Sequence, residues 1–465
     1  MQWIFKARSY GFKIRYTTTA EGCIQWVRDT VLYQQIRFDM SQAQSMVHGL
    51  VEEARDVLYS KLMGVDMDAE RQVDPQQVPP IHWDSMVDNP SESRVGWSFL
   101  DDERNKFDVD GEWWMYERMY QEQRLREQFI NKGTDDSSKQ IRKEEAEAYK
   151  HEVERFQELL LILMHMCGGQ PGRAPEILSI RWKNTEQGGV RNIFIEDGMV
   201  AFVTTYHKGY RSSNDIKIIH RYLPREIGEL LVYYLWLIRP FHEKLQFQVD
   251  GKSSSSPFLW GDGKKIEHRR WTGPRRDRKG EEEVEPMKWT SERMRHIMKE
   301  ASMRWIGVKL HISAWRQISI AMSRRYCREH PFPSEDASQD NDSGEEEDSL
   351  EDNPWDLQSG HGSHVAGMIY ARELMEGGNA VISRREQFRR VSMAWHRFWR
   401  FGSAYAGVGC KRKRGAEDDV QEVQRARWKR LRDVDIKEEL KHMLREQAQF
   451  RGLQELVYLA SRVII

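Results

Sequence analysis

Four short stretches of this chain carry residues whose types could do chemistry. Gly172-Arg173-Ala174-Pro175-Glu176-Ile177-Leu178-Ser179-Ile180-Arg181-Trp182 reads as a helix start in which Ile177, Leu178 and Trp182 need a core. Arg173 must then face either a cleft or a carboxylate such as Glu176. Thr204-Thr205-Tyr206-His207-Lys208-Gly209-Tyr210 puts Lys208 at a hairpin tip, where a lysine alone is a solvated turn residue. Leu310-His311-Ile312-Ser313-Ala314-Trp315-Arg316-Gln317 places Arg316 on a helix among apolar residues. Gln358-Ser359-Gly360-His361-Gly362-Ser363-His364-Val365-Ala366-Gly367-Met368-Ile369-Tyr370 adds two histidines and a tyrosine on a small-residue helix. A planar guanidinium fork matches a pair of phosphate oxygens, which is what an arginine facing a cleft could offer.

In order and spacing these stretches resemble the tyrosine recombinase (phage-integrase-like) family over about residues 150–400. The family's first box, Gly-x-Arg-x-x-Glu-Leu-Leu-x-Leu-x-Trp, falls on Gly172 to Trp182 and is followed by a hairpin with a lysine, here Lys208. The second-box arginine is matched by Arg316. The third box has Gly-His and then a tyrosine nine residues on, an interval that Gly360-His361 and Tyr370 reproduce. The middle and C-terminal half also looks similar to the recombinases of Crypton transposons, and to a region of fungal telomere-linked RecQ-type helicases. No Gly-x-x-x-x-Gly-Lys-Ser/Thr occurs here, so the helicase motor is missing from this sequence.

The resemblance implies catalytic residues Arg173, Lys208, Arg316, His361 and Tyr370. Tyr370 would attack a DNA phosphodiester and be left on the 3′-phosphate. Arg173, Arg316 and His361 would stabilise the extra negative charge. Lys208 would protonate the leaving 5′-oxygen. Neither metal, ATP nor another cofactor is implied, and the bond energy kept in the phosphotyrosine serves rejoining. The implied partner is double-stranded DNA, with room for a homo-oligomer on it and no small-molecule substrate.

This sequence departs from the family pattern in places. The first-box glycine directly precedes Arg173. Ser313 stands where the family has histidine, with His311 two residues earlier, and Gln317 follows Arg316 where histidine is common. The alternative reading is therefore a catalytically degenerate DNA-binding remnant. A remoter one is a subtilisin-like protease, suggested by His361-Gly362-Ser363-His364-Val365-Ala366-Gly367. That fold needs a strand-borne Asp-Ser/Thr-Gly and a downstream Gly-Thr-Ser. Asp342-Ser343-Gly344 sits in an acidic run without a strand, and only Gly402-Ser403 offers a downstream glycine–serine step.

The elements that must hold these residues read as an α+β, mainly helical chain. Residues 1–150 read as a helical N-terminal, core-binding-like domain, which the resemblance implies clamps DNA. In it Val47, Leu50, Val51, Ala54, Val57, Leu58 and Leu62 share one helical face. Val73–Pro90 is a proline-bearing arm, and Trp113, Trp114 and Tyr116 read as packing core. Residues 151–403 form the catalytic domain. Its three β-rich runs, Asn192–Glu196, Met199–Thr205 and Ile216–Tyr222, make a small antiparallel sheet with a hairpin at Asp197-Gly198. Helices are expected over Glu226–Ile238, Pro286–Ile306, Leu310–Cys327 and about His361–Trp399. Residues 404–465 form a basic, charged helical tail.

The 465 residues carry 72 basic and 73 acidic side chains, but the charge is segregated. Glu335 to Asp352 holds ten acids and no Lys or Arg, inside an acidic insertion (331–354) expected to be disordered. Lys264 to Lys279 holds eight Lys or Arg and two acids. Lys411–Arg414 and Arg425–Arg432 read together as a bipartite nuclear-import signal, so a nuclear location is expected. Such segregation hints at polyanion binding. The four cysteines show no CxxC and no close spacing to histidine, against a zinc site or a disulfide framework. Leu159–Met164, the longest dense apolar run, is far short of the about 20 residues a bilayer span needs. The N-terminus shows no signal-peptide core, so membrane and secreted classes are not expected.

Overall fold

The computed structural model describes residues 24–131, 141–186, 189–206, 217–251, 256–261, 289–327, 354–359 and 378–405. The chain is α+β and mainly helical, with two three-stranded antiparallel sheets. The first is a meander of β1 (Gln25–Val27), β2 (Thr30–Tyr33) and β3 (Ile36–Asp39). This sheet stands where the sequence reads as helical. Its turns carry Arg28 and Gln34 at positive φ, positions where glycine or asparagine would have signalled a hairpin.

Asp39 then caps α1 (Met40–Asp56). Its carboxylate accepts from the Gln42 backbone N–H at 2.8 Å, and the Gln42 side chain accepts from the Asp39 N–H at 3.0 Å. A π-helical turn, Val57–Leu62, continues α1, and the expected apolar face from Val47 to Leu62 is buried. After the arm come α2 (Trp114–Gln121) and α3 (Gln123–Phe129). Trp113, Trp114 and Tyr116 are buried there.

The central element is α4 (Lys143–Cys167), which packs against α1. Its last nine residues, Leu159–Cys167, are buried on every side and apolar but for His165, as an enclosed helix end must be. A glycine-rich turn leads to α5 (Ala174–Leu178) and then to the second sheet. That sheet is β4 (Ile193–Glu196), β5 (Met199–Tyr206) and β6 (Lys217–Tyr222), in sequence order. Asp197 and Gly198 both have positive φ, the two-residue turn their identities specify.

Next come α6 (Arg225–Tyr233), a π-helical stretch (Tyr234–Ile238) and α7 (Arg239–Asp250). The helix thus runs on beyond the stop that Pro240 signals, because Pro240 falls in the first turn of α7, where its missing N–H is tolerated. Helices α8 (Ser291–Ile306), α9 (Ile312–Tyr326), α10 (Pro354–Gln358) and α11 (Gly378–Phe398) follow. Four buried indoles tie this end together, with ring centroids 6.1 Å apart for Trp315–Trp399, 6.2 Å for Trp355–Trp395 and 5.5 Å for Trp395–Trp399. Trp395 also donates to the Met166 carbonyl at 2.7 Å, which docks α11 on the end of α4. Among the described residues the main apolar core draws on positions from Val31 to Phe401, and a smaller cluster joins Ala201, Tyr222, Leu357 and Phe388.

Candidate functional site

The glycine-rich turn after α4 brings three separate parts of the chain together. Gly169 has φ +124°, and a Cβ there would stand 2.4 Å from the side-chain oxygen of Gln358. Only glycine permits that approach. The same Gln358 oxygen accepts from the Gln170 N–H at 2.7 Å. The Gln358 amide group donates to His220 O at 3.0 Å and to Ser392 Oγ at 3.1 Å. The end of α10 is thereby fixed to the turn, to β6 and to α11.

Arg173 stands at the N-cap of α5. Its backbone N–H donates to Glu176 Oε2 at 3.0 Å, while its guanidinium is 4.0 Å from Glu176 Oε1. Both sequence readings of Arg173 are therefore partly right. Glu176 is engaged mainly in capping, and the Arg173 side chain lines a cleft of about 470 Å³. Arg316 of α9 lines the same cleft, with its Nε 3.3 Å from Pro171 O and its Nη2 2.9 Å from Ser359 O.

Arg295 and Lys299 add two further cations, one turn apart on α8. Arg295 is held by Glu292 at 2.5 Å. His311, the N-cap residue of α9, lines the cleft together with Ser313. The N-terminal ends of α8 and α9 both open onto this space, and their helix dipoles reinforce its positive potential. The cleft can hold a polyanion; among the described residues no cluster of His, Cys, Asp and Glu could hold a metal ion.

Behind the cleft lies Arg221, which sequence reasoning missed. It is 1% exposed and donates to Gln170 O at 2.7 Å, Thr204 Oγ1 at 2.6 Å and Gln358 O at 2.8 Å. Burial pulls its guanidinium down to about 10; Glu176 opposes the shift and Arg316 adds to it. It stays charged at neutral pH. The available signal was strand alternation, which puts Arg221 on the same face as the buried Ile219 and Leu223. His165, near the end of α4, is also buried; burial, then Arg221 and Arg316, push its imidazole down to about 3, so it is neutral beside the arginines.

Of the residues singled out from sequence, Arg173 and Arg316 share the cleft. Lys208 (within 207–216), His361 and Tyr370 (within 360–377) lie outside the described residues, as do the acidic and basic runs, the histidine box and the tail. The chain carrying Lys208 leaves β5 at Tyr206 and returns into β6 at Lys217. His361 follows two residues after Ser359, whose carbonyl holds Arg316. Ser403, the one downstream serine of the protease alternative, donates to Glu226 Oε2 at 2.6 Å and accepts from the Arg225 N–H at 3.2 Å. These are the bonds of a turn anchor. Compared with protein-family models, curated proteins and solved structures, the chain matches none of them.

Proposed function

We propose that this chain binds double-stranded DNA and cleaves and rejoins a strand through Tyr370, as its resemblance to Crypton-type tyrosine recombinases implies. The observation that carries the reading is the convergence of Arg173 and Arg316 on one basic cleft. These two guanidiniums come from opposite sides of the second sheet in sequence, and Arg295, Lys299 and His311 surround them. Two planar forks in one cleft suit the phosphorane-like transition state, whose added negative charge is spread over oxygens that pair with such forks.

In this reading the Tyr370 hydroxyl gives its proton to the neutral imidazole of His311 while its oxygen forms a bond to phosphorus and the P–O5′ bond breaks. Lys208 gives its proton to the departing 5′-oxygen, and His361 donates to a non-bridging oxygen. Rejoining reverses these steps on a new 5′-hydroxyl. His311 lines the cleft together with Ser313 and would serve as the proton acceptor that Ser313 cannot be. Assembly of several copies on DNA and a nuclear location, through the two basic clusters of the tail, belong to the same proposal.

The second reading, DNA binding without cleavage, is favoured by Ser313 lining the cleft where the family has histidine. Nicked suicide duplexes, drawn from the flanks of the protein's own gene and from generic sequence, separate the two. An SDS-resistant protein–DNA adduct with wild type and none with Tyr370→Phe is the expected result. Binding with no adduct from either protein would leave the non-cleaving reading. No binding would sink both.

A further inference from the structure

Two arginines bridge the same two segments of backbone at consecutive positions. Arg221 spans Gln170 O and Gln358 O through Nε and Nη2. Arg316 spans the very next carbonyls, Pro171 O and Ser359 O, also through Nε and Nη2. The buried rung thus lies directly behind the one that faces the cleft. Gln358 cross-links the two segments as well, by accepting from the Gln170 N–H. The third donor of Arg221 goes to Thr204 on β5, the strand that runs on towards Lys208.

We propose that Arg221 is the positioning residue of the site, holding the 170–171 and 358–359 segments at the separation at which Arg316 can bridge them and present its guanidinium to the cleft. Packing alone does not explain an arginine here. A buried cation whose direct partners are two carbonyls and a hydroxyl, with Glu176 only nearby, is a costly way to fill space, and an apolar side chain of similar volume would avoid that cost. The geometry provides what an apolar side chain cannot, three directed donors reaching three separate chain segments. Lysine could keep the charge but not this span.

The catalytic consequence rests on the cleavage reading, whereas the geometric part does not, and two measurements keep them apart. The first is nitrogen-15 NMR of arginine side chains, with the Arg316 Nε–H signal assigned by its loss in Arg316→Lys. In folded Arg221→Lys, exchange of this proton with water is expected to speed up by about tenfold or more, as its acceptor moves away. The second is the rate of adduct formation. A displacement of about 1 Å at a reacting centre costs on the order of 10²-fold. The Arg221→Lys rate should fall by about that factor while duplex affinity stays within about threefold.

Should Arg221→Lys not fold, Thr204→Val removes a single acceptor and should shift both readouts in the same direction by a smaller factor. An unchanged Arg316 signal in a folded variant overturns the proposal. So does an adduct rate that falls only in step with affinity or with the folded fraction, or failure of both variants to fold. Absence of any wild-type adduct removes the cleavage reading, and the NMR measurement then decides the positioning role by itself.

Discussion

The salt dependence of DNA binding tests the cleft more sharply than affinity does. Arg173, Arg295, Lys299 and Arg316 are permanent cations lining one space. Each phosphate that such a cation neutralises contributes about −0.9 to the slope of log affinity against log salt. Four contacts would give a contribution of roughly −3.6, and between about 50 and about 200 mM KCl that alone is roughly a 150-fold loss of affinity. One contact is worth roughly 3.5-fold over the same range. Lys299→Ala should therefore flatten the slope by about one unit with little effect on melting temperature.

Arg295 should behave differently, because it must exchange Glu292, 2.5 Å away, for a phosphate. That pair is exposed, with side chains 46% and 72% accessible, and an ion pair of this kind is worth about 0.2–1 kcal/mol. Glu292→Gln should accordingly tighten binding by no more than about fivefold. Fluorescence anisotropy of a labelled duplex, titrated at several salt concentrations, reads all of these slopes. Arg94, a largely exposed arginine outside the cleft, serves as the control. If Lys299→Ala leaves the slope unchanged while Arg94→Ala flattens it, DNA does not enter this cleft and the assignment fails.

Two further expectations concern the frame that holds the site. Asp88 and Arg191 form a fully buried ion pair, with both side chains at 0% exposure and Asp88 also accepting from the Ile195 N–H of β4. Asp88→Asn or Arg191→Met alone should cost about 3–5 kcal/mol by urea denaturation, and the double variant far less than the sum; effects additive to within about 0.5 kcal/mol would refute the coupling. The second expectation is acid sensitivity. Burial holds His165 and His242 down at about 3 and His396 at about 4, from an ordinary 6.5. Above pH 6.5 these rings are neutral both folded and unfolded. As pH falls from there towards about 4, only the unfolded chain takes up the protons, so stability drops by up to about 1.4 kcal/mol per pH unit per histidine. A melting temperature that holds level or rises from about pH 6.5 to about pH 5 would contradict this.

The second sheet was legible in the sequence because its signals are local. Asp197-Gly198 dictates its turn, and the flanking runs are β-rich over the span of the observed strands. The first sheet was not, since Arg28 and Gln34 occupy left-handed positions without the residue types that advertise them. The helix expected over Glu226–Ile238 also runs on to Asp250, because Pro240 falls in the first turn of its last segment and does not end it. Arg173 and Arg316 could be singled out by motif spacing, yet nothing in their neighbourhoods says that they share a cleft with Arg295 and Lys299. That depends on how α8 and α9 pack against the turn after α4.

Arg221 is the limiting case of the same difficulty. In sequence it is one polar residue in a strand, and alternation with Ile219 and Leu223 is all that sets it apart from a side chain that points to water. What makes it exceptional is the arrival, from either side in sequence, of Gln170 and Gln358 with their carbonyls directed at it. Burial with no carboxylate in direct hydrogen-bond contact would be an odd choice for a residue whose task was stability, because the desolvation cost is met by neutral acceptors and only in part by the nearby Glu176. It is a sensible choice for a residue that must hold three segments at fixed separations beside a second guanidinium. The two positive charges repel each other, and an anion in the cleft relieves that repulsion. On this argument, loading the cleft with a phosphate polyanion stabilises the fold as well as filling the site.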